Sequence, residues 1–166
     1  MAILARENIL PETLYQALEK TFGPVQYKGP AFPFENTDYY ENEFGTHLNR
    51  RFIAFKGLDT PEKLISLKLI AVRLEAEWQQ GGKRWFNLDI GYMDADKVVL
   101  ASFKRGPCKL YLGDGVYADL LLKYSEGHFD AMPWAFSDFK DGRYQKSLLV
   151  IREKLKSELR KMRISE

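Results

Sequence analysis

The sequence predicts a single α+β domain over residues 1–166, with a mainly antiparallel sheet and about three helices. In the first half, short apolar runs and helical patterns follow in the order strand, helix, strand, strand, helix, strand. This order is typical of a ferredoxin-like βαββαβ arrangement. In the second half, three β-rich runs with short glycine-containing breaks predict a β-meander. A final amphipathic stretch predicts a C-terminal helix.

Local sequence signals predict the helices and strands of the first half of the chain. Pro11 suits the first turn of a helix, and Gly23-Pro24 ends that helix. Thr60-Pro61-Glu62 opens a second helix, which is expected to run to about residue 78. Strands are predicted at residues 2–5, 25–28, 50–55 and 84–90, and an aromatic loop or edge strand at residues 30–34.

The elements of the second half follow from glycine-marked breaks. Strands are predicted at residues 97–103, 108–112 and 116–124. Residues 105–107 and 113–115 are hairpin signals, so the meander is expected to extend the first sheet. The last helix is predicted over residues 142–162, which carry one apolar stripe.

Composition and charge exclude several classes of protein. One cysteine excludes a disulfide framework and a multi-cysteine zinc site, and no apolar run is long enough to span a membrane. The 25 Lys and Arg against 23 Asp and Glu give a net charge of +2, which argues against nucleic acid as a partner. A cytoplasmic protein is expected. Residues 140–166 hold nine basic and four acidic residues, which indicates a solvated helix face or a contact with an anionic partner.

No motif indicates a particular reaction. The sequence lacks a phosphate-binding Gly-x-x-x-x-Gly-Lys-Ser/Thr loop and a Gly-x-Gly-x-x-Gly motif. Whether the protein is an enzyme is therefore left open, and the candidate residues come from polar side chains inside apolar strands.

The predicted strand at residues 84–90 carries the first candidates. Asn87 and Asp89 share one face of this strand, opposite an apolar face. That polar face must meet water, a polar network or a ligand, because an unpaired buried carboxylate is costly. Either the two side chains fix the following turn, or they bind a ligand or metal. Gly91 lets the backbone turn there or approach a neighbour closely.

Further candidates lie in the predicted meander and in an acidic, aromatic stretch. Asp119 lies inside an apolar strand, so it is expected to have a cross-strand Lys or Arg partner or to act as a functional carboxylate. Lys104 and Lys109 protect a sheet edge or neutralise a phosphate. The stretch at residues 34–43 is an exposed loop or a hydrogen-bonding pocket wall, and the arginines that follow it point to opposite faces of a strand.

Two hypotheses for function follow. In the first, the protein binds a small phosphorylated or otherwise anionic ligand, with a divalent cation held by Asp38, Asp89 and Asp119. In the second, it is a non-catalytic interaction or scaffold protein, such as a homodimer, with residues 32–40 and the C-terminal helix as contact surfaces. The ligand-binding candidates of the first hypothesis are Asp38, Tyr39, Arg50, Arg51, Asn87, Asp89, Lys104, Lys109 and Asp119.

Segments along nearly the whole chain resemble an uncharacterised bacterial family known as domain of unknown function 4416. They are Phe32-Pro33-Phe34 through Asp38-Tyr39-Tyr40, Asn87-Leu88-Asp89-x-Gly91-Tyr92, Val99-Leu100-Ala101-Ser102, Tyr111-Leu112-Gly113-x-Gly115-Val116-Tyr117-Ala118 and Met132-Pro133-Trp134. Some members carry the label GTP-binding protein, which no nucleotide motif of this sequence supports.

The sequence departs from the family pattern at several positions. Ile90 stands where proline is usual, Cys108-Lys109 where His-Arg is usual, and Asp119 where glutamate is usual. Residues 135–139 replace a segment resembling Thr-Tyr-Pro-Asp-Tyr. A family function that needed the histidine would be lost or altered here.

Overall fold

The computed structural model describes residues 1–6, 11–34, 47–80 and 83–164. Its helices and antiparallel strands confirm the predicted α+β class. Contacts divide the chain into two compact units, the first made of Met1–Lys56 with Ser66–Ile90 and the second of Gly57–Ile65 with Gly91–Glu166. Each unit contains a five-stranded sheet. That residues 1–166 behave as one domain stays a prediction.

The elements of the first unit's sheet and the helices between its strands are β1 (Ala2–Arg6), α1 (Glu12–Phe22), β2 (Val25–Lys28), β3 (Phe32–Phe34), β4 (Leu48–Phe55), α2 (Leu64–Glu77) and β7 (Phe86–Asp89). The sheet has the order β2-β4-β1-β7, with β3 also paired to β4, and every pairing is antiparallel. Helix α1 joins β1 to β2, and β4 lies between these two strands. Helix α2 lies between β4 and β7 in the chain, and β1 separates these strands in the sheet. The ferredoxin-like assignment stays a prediction.

The predicted strand at residues 84–90 is interrupted. Residues 83–84 form β6 (Lys83–Arg84), which pairs with β5 (Gln79–Gln80), whereas β7 pairs with β1. Trp85 lies between the two strands and makes an edge-on contact with Trp78, their ring centroids being 6.4 Å apart. The predicted strand therefore covers Arg84 of β6 and the whole of β7, which have different partners.

The strands and helices of the second unit are β8 (Gly91–Met93), β9 (Lys97–Ser102), β10 (Lys109–Gly113), β11 (Val116–Ser125), β12 (His128–Ala131), α3 (Ser137–Lys140) and α4 (Gln145–Ile164). The sheet has the order β10-β11-β9-β8, with β12 also paired to β11, and it too is antiparallel. The expectation that the later strands extend the first sheet is wrong. The hairpin expected at residues 105–107 is also wrong, because β11 lies between β9 and β10.

The second predicted hairpin joins β10 to β11. Asp114 and Gly115 have φ angles of 48° and 75°, as a two-residue hairpin turn of type I′ requires. The C-terminal helix is confirmed, although it begins at Gln145 rather than at residue 142. In the described part of the chain, four α-helices occur, and none of them is long and apolar enough to cross a bilayer.

Candidate functional site

The two arginines of β4 have different neighbours. Arg50 is buried, and its guanidinium lies 4.4 Å from the ring centroid of Phe34. Arg51 donates a hydrogen bond of 2.9 Å from Nη1 to the hydroxyl of Tyr15. Arg51 and Arg50 are thus held by aromatic side chains of different elements. Asp38 and Tyr39 lie outside the described residues, so this structure does not test their place in a site.

Asp89 is paired with a lysine. Its Oδ1 lies 3.3 Å from Nζ of Lys68, which also donates a 3.0 Å hydrogen bond to the carbonyl oxygen of Leu88. Asn87, two residues before Asp89, is buried. The carboxylate of Asp89 therefore meets a polar network, one of the alternatives that the sequence left open.

Glu75 completes this network and was missed by sequence reasoning. The carboxylate is almost fully buried, accepts a 2.5 Å hydrogen bond from the backbone N–H of Leu88, and lies 2.5 Å from Nη1 of Arg84. Burial raises the pKa of Glu75, while the Leu88 N–H and the cations of Lys68 and Arg84 act to lower it. A seven-residue spacing puts Lys68 and Glu75 on one face of α2, which is the signal that could have revealed them.

A second polar group, the Ser102 cluster, gathers Ser102, Lys104, Lys109 and Asp119 in the second unit. Nζ of Lys109 lies 2.9 Å from Oδ2 of Asp119 and donates a 3.1 Å hydrogen bond to Oγ of Ser102. The backbone N–H of Lys104 donates a 3.0 Å hydrogen bond to the same Oγ. Lys109 is directly opposite Asp119 in the β10–β11 pairing. The predicted cross-strand partner of Asp119 is thereby confirmed.

Strand register explains why this cluster forms. Ser102 is opposite Tyr117, which is two residues before Asp119, so the three side chains share a face of the sheet. Tyr111 and Tyr117 continue that face, with ring centroids 5.2 Å apart. The side chain of Lys109 crosses β11 to reach Ser102. Sequence reasoning named both lysines and Asp119 but missed the serine, because the predicted order of strands was wrong.

The chemistry of the Ser102 cluster is that of a fixed set of donors. Ser102 uses both acceptor positions of its hydroxyl on Lys104 and Lys109, so only its proton remains to be donated. That proton faces the carbonyl oxygen of Lys104 at 3.4 Å, a long hydrogen bond. Nζ of Lys109 contacts both a carboxylate and this hydroxyl. The cluster therefore offers a small ligand several polar groups that are held in fixed positions.

The metal site expected from Asp38, Asp89 and Asp119 stays a prediction. Asp89 belongs to the first unit and Asp119 to the second, and each is paired with its own lysine. In the ranges that the structure describes, no three His, Cys, Asp or Glu side chains are grouped closely enough to hold a metal ion. The expected contribution of Asp38 lies outside these ranges.

The fold and site define an α+β protein with two antiparallel sheets and a polar cluster on one of them. A family model described as a domain of unknown function (DUF4416) matches residues 1–155. The chain therefore belongs to this family, as its resemblance predicted. No curated protein and no solved structure matches the chain.

Proposed function

We propose that this protein binds a small anionic ligand at the Ser102 cluster. One observation carries the proposal: the Ser102 hydroxyl accepts from the backbone N–H of Lys104 and from the ammonium of Lys109, which is also paired with Asp119. A small polar ligand is held in one orientation when the hydrogen-bond donors that bind it are themselves fixed in place.

The charges around the cluster favour an anion. The segment that carries the cluster is basic, because Lys104, Arg105 and Lys109 lie within six residues and Asp119 is the carboxylate paired with Lys109. Lys109 has three N–H groups and uses two of them on Ser102 and Asp119 within the described chain. An anionic oxygen would accept the third N–H and the Ser102 hydroxyl proton, replacing the long bond to the Lys104 carbonyl.

Thermal unfolding with inorganic phosphate and pyrophosphate, each with and without Mg²⁺ or Mn²⁺, tests this function. A ligand of the folded state raises the unfolding midpoint, and a concentration ten times its Kd adds about 1.4 kcal/mol of stability. The double variant Lys104→Ala/Arg105→Ala should lose most of that increase. Both side chains are exposed, so the variant is expected to fold.

Lys123→Ala is the matched control, because Lys123 is an exposed lysine of β11 that lies opposite Lys97 rather than in the cluster. This variant should respond to phosphate as the wild type does. An equal response of the double variant, or no response of the wild type to either anion, would overturn the proposal. A response that requires Mg²⁺ or Mn²⁺ would add the divalent cation that the sequence predicted.

A second candidate function is a non-catalytic interaction or scaffold protein. The apolar stripe of α4 favours it, because the stripe is buried at Leu148 but exposed at its end, where Leu159 is 38% and Met162 54% exposed. Leu159→Glu should then lower the fraction of dimer in sedimentation velocity. Most of the other predicted surface, residues 35–40, lies outside the described residues.

A further inference from the structure

Asp119 brings a carboxylate to the Ser102 cluster, and a carboxylate accepts hydrogen bonds without donating any. The residue is only 9% exposed. Its Oδ2 lies 2.9 Å from Nζ of Lys109, whereas its Oδ1 is buried and has no hydrogen-bond partner among the residues that the structure describes. A buried acceptor without a donor costs stability, so this oxygen favours a ligand that supplies a donor.

The neighbouring strands do not supply that donor at the positions directly opposite Asp119. On β10 the opposite residue is Lys109, which already bonds Oδ2. On β9 the opposite residue is Leu100, whose side chain has no hydrogen-bond donor. The carboxylate has about four acceptor positions, so this pairing leaves it with more acceptor positions than donors.

The carboxylate lies beside the donors of the cluster. Nζ of Lys109 is 2.9 Å from Oδ2 of Asp119 and 3.1 Å from Oγ of Ser102, so the carboxylate and the hydroxyl contact one ammonium. The side chains of Lys109 and Asp119 keep 19% and 13% of their surface exposed, which leaves the pair open to a small ligand. Rotation about the last torsion of an aspartate is easy, so either oxygen can turn toward that ligand.

We infer that this site selects oxyanions that carry a proton, such as hydrogen phosphate, over oxyanions that carry none, such as sulfate. The inference rests on the proposed function, namely an anion site at the Ser102 cluster. The unprotonated oxygens of hydrogen phosphate accept from Lys109 and Ser102, and its P–OH group donates to Asp119.

Sulfate is rejected by the same carboxylate. It has the charge and approximately the size of hydrogen phosphate but no proton to donate, so its oxygens would lie against the oxygens of Asp119 with nothing between them. Like charges brought together in this way are a common source of specificity, because they weaken the wrong ligand without weakening the right one. We expect sulfate to bind at least about tenfold more weakly than phosphate.

Isothermal titration calorimetry of the wild type at neutral pH and constant ionic strength tests this selectivity. Phosphate and arsenate both carry a proton under these conditions, whereas sulfate and selenate carry none. The first pair should bind with similar Kd values, and the second pair at least about tenfold more weakly. This comparison requires no variant and therefore does not depend on how a substitution affects folding.

The variant Asp119→Asn tests whether Asp119 is the residue that selects. An asparagine amide donates hydrogen bonds to an unprotonated oxygen, so the ratio of the sulfate Kd to the phosphate Kd should fall to within about threefold. A purely structural role of Asp119 would weaken both anions equally and would leave the ratio unchanged. Asp114→Asn is the matched control, because Asp114 is an exposed aspartate in the turn between β10 and β11, and this variant should keep the wild-type ratio.

The outcomes separate this inference from the proposed function. Equal Kd values for phosphate and sulfate in the wild type, or a full preference for phosphate in Asp119→Asn, overturn the selectivity and leave the anion site in place. No binding of these four anions or of pyrophosphate overturns the proposed function, and the selectivity with it.

Discussion

At the residue scale, carboxylates inside apolar strands are each paired with a lysine. Asp89 lies beside Lys68, and Asp119 lies beside Lys109. The sequence showed that these acids needed a partner, because burying an unpaired charge is costly. It did not show which partner each would find, since Lys68 is 21 residues from Asp89 in the chain. The ion pair with Lys68 is therefore sufficient to explain why a charged residue, Asp89, occurs in this strand.

For Gly91 the sequence left two explanations, a turn of the backbone or a close approach of a neighbour. A Cβ added there would lie 2.1 Å from the carbonyl oxygen of Val99 and 2.5 Å from a methyl group of Leu100. Gly91 lies opposite Leu100 in the β8–β9 pairing. The close approach of the neighbouring strand, rather than a turn, therefore explains the glycine.

Replacing Gly91 by alanine should destabilise the protein by about 1–3 kcal/mol, because the added methyl group overpacks the contact with β9. Chemical denaturation with urea would measure this difference in the free energy of unfolding. Gly127→Ala is an informative comparison, since Gly127 has open space around it and its positive φ angle alone would cause strain. A stability of Gly91→Ala equal to that of the wild type would contradict the steric explanation.

At the element scale, helices close the edges of both sheets by using side chains in place of a further strand. Lys68 and Glu75 of α2 do so for β7, and Gln145 of α4 does so for β12. This device accounts for the failed expectation that the later strands extend the first sheet. The outer groups of Leu88 are already bonded, so a strand cannot pair there. The pattern of residues along a strand does not show whether side chains or another strand will bond its outer backbone groups.

The stabilisation that Glu75 contributes at the edge of β7 is expected to depend on pH. Because burial raises its pKa above the ordinary value of 4.5, the folded protein holds this proton more tightly than the unfolded chain does. The resulting stabilisation is complete below pH 4.5 and is lost as pH rises through the raised pKa. Glu75→Gln removes the titration and retains an oxygen that can accept from Leu88.

We therefore expect the stability of the wild type, relative to Glu75→Gln, to decrease as pH rises above 4.5 and through the raised pKa of Glu75. Urea denaturation of both proteins at several pH values would measure it. A difference that increases with pH would show that the cations of Arg84 and Lys68 outweigh burial. Glu77→Gln, an exposed substitution in the same helix, controls for general effects of charge removal.

At the scale of the whole molecule, the net charge of +2 conceals an uneven distribution along the chain. Residues 140–166 hold the basic excess, and most of them belong to α4. Within α4, acidic neighbours neutralise part of it, because Lys156 lies 2.8 Å from Glu153 and Lys161 lies 2.8 Å from Glu158. The helix therefore presents less free positive charge than its composition indicates.

Binding to duplex DNA should accordingly be weak and not sequence-specific. Because the net charge of the chain is only +2, its overall attraction to a polyanion is weak, and we expect no saturation below about 100 μM protein at physiological salt. Fluorescence anisotropy of a labelled duplex would measure this. Saturation at low micromolar protein, with a steep dependence on salt, would contradict the expectation and would identify α4 as the first surface to mutate.

Local chemistry in the sequence determined the class of fold, most element positions and the need for partners at buried charges. Proline and glycine lie near helix ends, and alternation marks the strands, because these preferences act within a few residues. Only the tertiary structure decided which strands are neighbours, that the strands form two sheets, and that Ser102 joins Lys109 and Asp119. These features depend on contacts between distant segments and on which backbone groups are already bonded, and a local pattern records neither.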